Sequence, residues 1–160
     1  MCIRDSHNTD VVIVGAGLSG LAAAKKFINT KYKVLFIEQD SYLGGVLKNS
    51  NKVKTINGLT PQEWISETEK LILNSKNITI LKNTLVTTYN FTNHLIALED
   101  KFAGKKIDLN KSELTLHKIR TSNTIIANGH IERFISFRNN DLPGVMLASS
   151  FEKYIHRYGV

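Results

Sequence analysis

The chain has 160 residues and a mass of 18.0 kDa, enough for one domain with a sizeable core. Its 42% hydrophobic and 22% charged residues are ordinary globular proportions, which argues against a disordered tail or a fibrous protein. The 21 Lys and Arg against 14 Asp and Glu give a net charge of +7, but the positive residues are dispersed and no basic helix carries interleaved aromatics, so no nucleic-acid partner is expected and the charge reads as a solvated surface.

Residues 1–6 (MCIRDS) read as a translated sequencing adapter, and residues 1–9 as a non-native or disordered leader without the apolar h-region of a signal peptide. Cys2, the single cysteine, lies within it, which excludes an internal disulfide and a Cys-rich zinc or iron–sulfur site and fits a cytoplasmic protein. Residues 10–14 (DVVIV) are a short β-branched run that reads as a strand. They lead directly into Gly15-Ala16-Gly17-Leu18-Ser19-Gly20 and an alanine-rich helix to about residue 29, and a second strand follows at residues 33–38 (KVLFIE). Parallel strands joined in this way form a right-handed βαβ unit. Residues 40–58 are polar and turn-rich around Gly44-Gly45.

Thr60-Pro61-Gln62-Glu63 is a capping box with proline at the first helical position, and Trp64, Ile65, Thr68, Leu71 and Ile72 follow at helical spacing. Residues 77–81 (NITIL) predict a third strand. Residues 85–89 and 95–99 predict an antiparallel pair, and residues 114–120 (LTLHKIR) a further strand of that meander beyond a polar loop at 101–111. Residues 124–127 (TIIA) read as a separate buried strand stopped by Asn128-Gly129. After a turn at residues 139–144 comes a last helix over about 149–158. No stretch reaches the about 18 apolar residues of a membrane-spanning helix, so no membrane partner is expected. The expected fold class is therefore α/β: a Rossmann-like FAD/NAD(P)-binding domain over residues 10–160, with a central parallel sheet, helices on its faces and an inserted antiparallel β-meander.

The chemistry points to a dinucleotide. In Gly15-x-Gly17-x-x-Gly20 the first glycine makes the tight turn, the second admits a pyrophosphate to the backbone, and the third lets helix and strand pack closely. The N–H groups at the helix start, including those of Leu18 and Ser19, face the phosphates where the macrodipole is positive. Glu38, at the end of the second strand and followed by Gln39, can accept both ribose hydroxyls of an adenosine, which favours FAD or NAD over NADP. Gly44 and Gly45, six and seven residues past Glu38, resemble with that acid the pattern of flavoproteins with two dinucleotide-binding domains, a resemblance which implies that this loop passes near the dinucleotide. The strand end at Ala127 and Gly129 would bring the chain close to it on the other side. The expected cofactor-binding residues are thus Gly15, Ala16, Gly17, Leu18, Ser19, Gly20, Glu38, Gln39, Gly44, Gly45, Ala127 and Gly129. No catalytic residue and no metal ligand is expected: the five histidines, His7, His94, His117, His130 and His156, lack metal-ligand spacing, and only His130 adjoins the cofactor region.

The stretch Gly129-His130-Ile131-Glu132-Arg133, the run Asn139-Asn140-Asp141-Leu142-Pro143-Gly144-Val145-Met146-Leu147-Ala148-Ser149 and the ending Arg157-Tyr158-Gly159-Val160 make the chain similar to the α subunit of heterotetrameric sarcosine oxidase and its amine- and opine-oxidoreductase relatives. Asn128 departs from the Ala-Thr-Gly that usually ends this strand. The resemblance implies that the chain is a fragment, incomplete at its C-terminal end and inactive alone. It implies an oxidoreductase subunit acting on CH-NH donors in the demethylation of sarcosine or a related secondary amine, with other subunits of a hetero-oligomeric amine oxidase as partners. It also implies NAD at this site, with FAD as the alternative. A non-catalytic dinucleotide-binding assembly module, or the FAD-binding half of another amine or opine dehydrogenase or pyridine-nucleotide reductase, is the alternative.

Overall fold

The computed structural model describes residues 3–48, 53–101 and 114–160. The chain runs β1 (Ile3–Val14), α1 (Leu18–Lys26), β2 (Val34–Ile37), one 3-10 turn (Gly45–Lys48), α2 (Pro61–Leu73), β3 (Ile78–Leu81), β4 (Thr84–Tyr89), β5 (His94–Asp100), β6 (Leu114–Ile126) and α3 (Ala148–Tyr158). The strands form one six-stranded sheet in the order β3-β2-β1-β6-β5-β4. Its β3-β2-β1-β6 half is parallel, with Val11 opposite Val34 and Ile13 opposite Ile125, whereas β5 and β4 are antiparallel additions.

All four residues of β2 are buried, as a central parallel strand covered on both faces requires. On one face, Leu21 and Ala24 of α1 and Trp64, Ile65 and Ile72 of α2 pack against Val11, Ile13, Val34 and Phe36. The helix α2 is positioned by its first turn: Thr60 Oγ1 accepts from the Glu63 N–H at 3.3 Å, and Glu63 Oε2 accepts from the Thr60 N–H at 2.9 Å. The bond from the Thr60 N–H, and then one from the Thr60 hydroxyl to Glu63 Oε2 at 2.8 Å, hold the Glu63 carboxyl below its usual range. The opposite face is packed by the meander itself, where Val12, Leu35 and Ile37 meet Leu95, Ala97 and Ile119. The sheet therefore folds back over its own parallel half. Both α1 and α2 lie on the other side.

The Rossmann-like α/β fold with an inserted meander holds, and two local expectations are corrected. Over its described part, residues 3–9, the segment read as a leader is the first half of β1, paired in parallel with β6 from Ile3 opposite Thr115 to Thr9 opposite Thr121. The cause is the length of β6, whose 13 residues offer an unpaired ladder beyond the short parallel core. The two strands expected at 114–120 and 124–127 are one continuous β6, because the polar residues between them stay extended: Thr121 Oγ1 donates to the Asn123 carbonyl at 2.9 Å while Asn123 remains paired with Val11. Most of the loop expected at 101–111 lies outside the described residues. Among the described residues no helix is long and apolar enough to cross a membrane.

Candidate functional site

Successive crossovers carry the chain from β1 to β2 and on to β3 in one direction, while β6 lies on the other side of β1. The carboxyl ends of β1 and β6 thus flank a topological switch point, the place where an open α/β sheet leaves a crevice for a ligand. A cavity of about 570 Å³ lies there. Its wall includes Val14, Gly15 and Gly17 from the first turn, Ile37, Glu38, Gln39 and Asp40 after β2, Gly45 and Val46, and Ile126, Ala127, Asn128, Gly129 and His130 after β6. Thr84, Leu85, Val86 and Tyr89 of β4, Leu95, Thr124, Ile131 and Lys153 complete it.

The turn at Gly15 is fixed by its neighbours. Gly15 N–H donates to the Ile37 carbonyl at 2.8 Å, and Ala127 N–H to the Val14 carbonyl at 2.7 Å, drawing the ends of β2 and β6 onto β1. Gly15 has φ of +96°, and a Cβ there would collide with the Ala127 backbone. A Cβ on Gly20 would strike the Gly15 carbonyl, so this glycine sets the helix-to-strand approach. Gly17 is different. Its φ of −72° and ψ of −168° suit any residue, and a Cβ there would meet nothing within 4 Å. The fold itself does not need glycine at position 17; the space above it does, if a ligand is to touch the backbone.

The start of α1 matches that space. Gly17 is the N-cap, no side chain caps the helix, and no acid lies in its first turn, so the orphan N–H donors and the positive end of the dipole are available to an anion. Glu38 is only 7% exposed. Its Oε2 accepts from the Ala16 N–H at 2.6 Å and its Oε1 from the Asp40 N–H at 2.9 Å. Each oxygen keeps a further lone pair, so the carboxylate can brace the glycine turn and still accept ribose hydroxyls. The Thr124 hydroxyl is buried without a hydrogen-bond partner among the described residues.

Of the residues expected at the site, Gly15, Gly17, Glu38, Gln39, Gly45, Ala127 and Gly129 are brought together on the cavity wall. Ala16 and Gly44 lie beneath it: the Gly44 N–H donates to the Ala16 carbonyl at 2.8 Å, and a Cβ on Gly44 would come 2.6 Å from Ile65 Cδ1. Gly20 is buried in the packing, and Leu18 and Ser19 are exposed on the first turn of α1. Sequence reasoning missed Asp40, Tyr89, Thr84 and Lys153, which reach the cavity from the loop after β2, from β4 and from α3. Only Asp40, next to the Glu38-Gln39 pair, carried a signal.

It also missed a histidine pair. The parallel register of β1 on β6 puts His7 Nε2 2.9 Å from His117 Nδ1, and His117 Nε2 lies 3.1 Å from Glu99 Oε2. Asp5 Oδ2 is 3.7 Å from His7 Nε2, so Asp5, His7 and His117 present ligand-type atoms within 4.8 Å of one another. No sequence spacing reveals this, because the pair is 110 residues apart. Burial is the main cause that holds the His7 imidazole below its ordinary pKa; Asp5 opposes it next in size, His117 and Lys33 add to the lowering, and Glu99 pulls weakly the other way.

The family described as NAD(P)-binding Rossmann-like domain matches residues 13–61, the segment that contains the glycine turn, Glu38 and the loop below the cavity. Among curated proteins the chain is similar to the sarcosine oxidase α subunit of Corynebacterium sp. (strain U-96), 31% identical over 159 residues and 96% of this chain. It is also similar to that of Rhizobium meliloti (strain 1021), 30% identical over 94% of this chain. The chain spans only 16% and 15% of the lengths of those two relatives. Among solved structures its fold matches L-proline dehydrogenase from P. horikoshii with a TM-score of 0.70 at 21% identity, over 98% of this chain and 30% of that one.

Proposed function

We propose, from similarity to sarcosine oxidase α subunits along nearly the whole chain, that this domain binds NAD in the β1–β6 crevice as part of an oxidoreductase acting on sarcosine or a related secondary amine. The observation that carries the reading is the open space above Gly17, bounded by the uncapped start of α1 and facing the Glu38 carboxylate. A dinucleotide has the matching chemistry: a pyrophosphate for the helix N-terminus and a ribose diol for the acid. The first turn of α1 would hold the phosphates, with Gly15 and Gly17 giving them room. Glu38 would accept the adenosine ribose hydroxyls and disfavour a 2′-phosphate. Gly45, where a Cβ would lie 3.2 Å from the Gly17 Cα, keeps the opposite wall close to the same point. When bound, the group supplies a hydride acceptor or donor. The residues on the cavity wall bind and orient it. Other subunits of a hetero-oligomeric amine oxidase are the proposed partners.

A second reading, FAD in the same crevice, is favoured by the placement of Ala127, Asn128 and Gly129 at the cavity wall beside Glu38 and Gly45, a layout equally suited to the adenosine diphosphate half of a flavin dinucleotide. The experiment that separates the two is denaturation of the intact subunit, expressed without partners, followed by analysis of what it releases. Stoichiometric nicotinamide dinucleotide without a visible flavin band is the expected result. Stoichiometric flavin would overturn NAD and assign the site to FAD.

A further inference from the structure

We infer that Lys153 of α3 is a further binding residue of this site, the cation that engages the pyrophosphate of the bound dinucleotide; the inference rests on the dinucleotide reading above. Among the described residues, the cavity wall holds two acids, Glu38 and Asp40, both just after β2, and one residue of fixed positive charge, Lys153. Lys153 is half-buried and makes no ion pair or side-chain hydrogen bond among the described residues. A half-buried lysine that lines a cavity and has no counter-ion among the described residues is free to take an anion as its partner.

The position of α3 directs that charge. No residue of α3 is buried; its ties to the rest of the chain include the Ser149 N–H, which donates to Glu132 Oε2 at 2.8 Å, and Arg157, whose Nη1 donates to the Tyr42 hydroxyl and whose guanidinium carbon lies 4.3 Å from the centre of the Tyr42 ring. Tyr42 belongs to the loop between Glu38 and Gly45, and the Lys48 ammonium lies 5.0 Å from the centre of the same ring. Lys153 sits four residues before Arg157, one turn away on the same helix face, so the contact that seats Arg157 on this loop also carries Lys153 to the cavity. The wall it joins contains Gly17, Gly45 and Val46, beside the uncapped start of α1. In that cavity the phosphates would meet two positive features, the helix N-terminus and the ammonium. Glu38 and Asp40 make the β2 end unfavourable for a terminal 2′-phosphate, which leaves the pyrophosphate as the group for Lys153.

Calorimetric titration of the intact protein with ADP-ribose and with adenosine tests this. In Lys153→Met the affinity for ADP-ribose should fall by about tenfold or more, the scale of a hydrogen bond to a charged group, with a weaker salt dependence. Adenosine, which has no phosphate, should bind as it does to the unmodified protein, showing that the ribose subsite is still formed. Lys153→Arg should retain most of the ADP-ribose affinity. Equal ADP-ribose binding by the unmodified protein and Lys153→Met would overturn the role of Lys153 and leave the dinucleotide reading standing. A parallel loss of adenosine binding would also overturn it, as a structural rather than a phosphate effect. Failure of the unmodified protein to bind ADP-ribose would remove the dinucleotide reading and this inference with it.

Discussion

Glu38 combines two roles in one carboxylate. It is bonded to the backbone N–H groups of Ala16 and Asp40, and so links the glycine turn to the chain after β2, while its remaining lone pairs border the cavity. Replacing it by Gln keeps the size but substitutes an N–H₂ for one accepting oxygen. Glu38→Gln should weaken binding of ADP-ribose by about 1 to 3 kcal/mol, the scale for hydrogen bonds to a charged group. Titration of the variant checks this, and unchanged affinity would confine the carboxylate to bracing the turn. Glu38 was legible in the sequence because it ends the second strand of a βαβ unit, a position fixed by local order. Lys153 and the His7–His117 pair were not: the helix that carries Lys153 reaches the cavity through Arg157 and Tyr42, and the two histidines meet through a register between the first and last strands. Such contacts are long-range and leave no periodicity behind them.

At the scale of elements, the capping box of α2 shows how local chemistry fixes a boundary. Thr60 and Glu63 bond each other's backbone N–H groups, Pro61 occupies the position that needs no N–H donor, and the helix then buries Trp64, Ile65, Thr68 and Ile72. Because that face belongs to the core under the cavity, loss of the cap should be felt by the whole domain. Thr60→Ala should lower stability by about 1 kcal/mol, within the about 0.5 to 2 kcal/mol range for such caps, as read from the midpoint of urea unfolding at unchanged slope. An unshifted midpoint would mean that the proline and the buried face hold the helix start without the hydroxyl. Turns were similarly legible: the described non-glycine residues with positive φ, Asn29, Asn57, Asn83, Asn93 and Asn139, are all asparagine, the residue that tolerates the left-handed region best after glycine. The continuity of β6 was hidden, since its polar middle resembles a turn and is held extended by long-range bonds, to β1 on one side and to Asn93 on the other.

For the whole molecule, the order β3-β2-β1-β6 puts the reversal of strand order beside the glycine turn, and the meander's return over the second face closes one side of the crevice with Thr84, Val86 and Tyr89. The βαβ unit and its glycine turn could be read directly from the sequence. The wall supplied by β4 could not, because it depends on how the antiparallel strands fold back over the parallel ones. The central claim is that position 17 is glycine for a ligand and not for the fold. Its backbone conformation suits any residue and its surroundings are open, so Gly17→Val should fold with an unchanged circular dichroism spectrum and thermal transition. The most direct measurement is the amount of dinucleotide retained by this variant beside the unmodified intact subunit, purified identically. Loss of bound dinucleotide with the fold intact is the expected result; stoichiometric retention would contradict the assignment of the crevice.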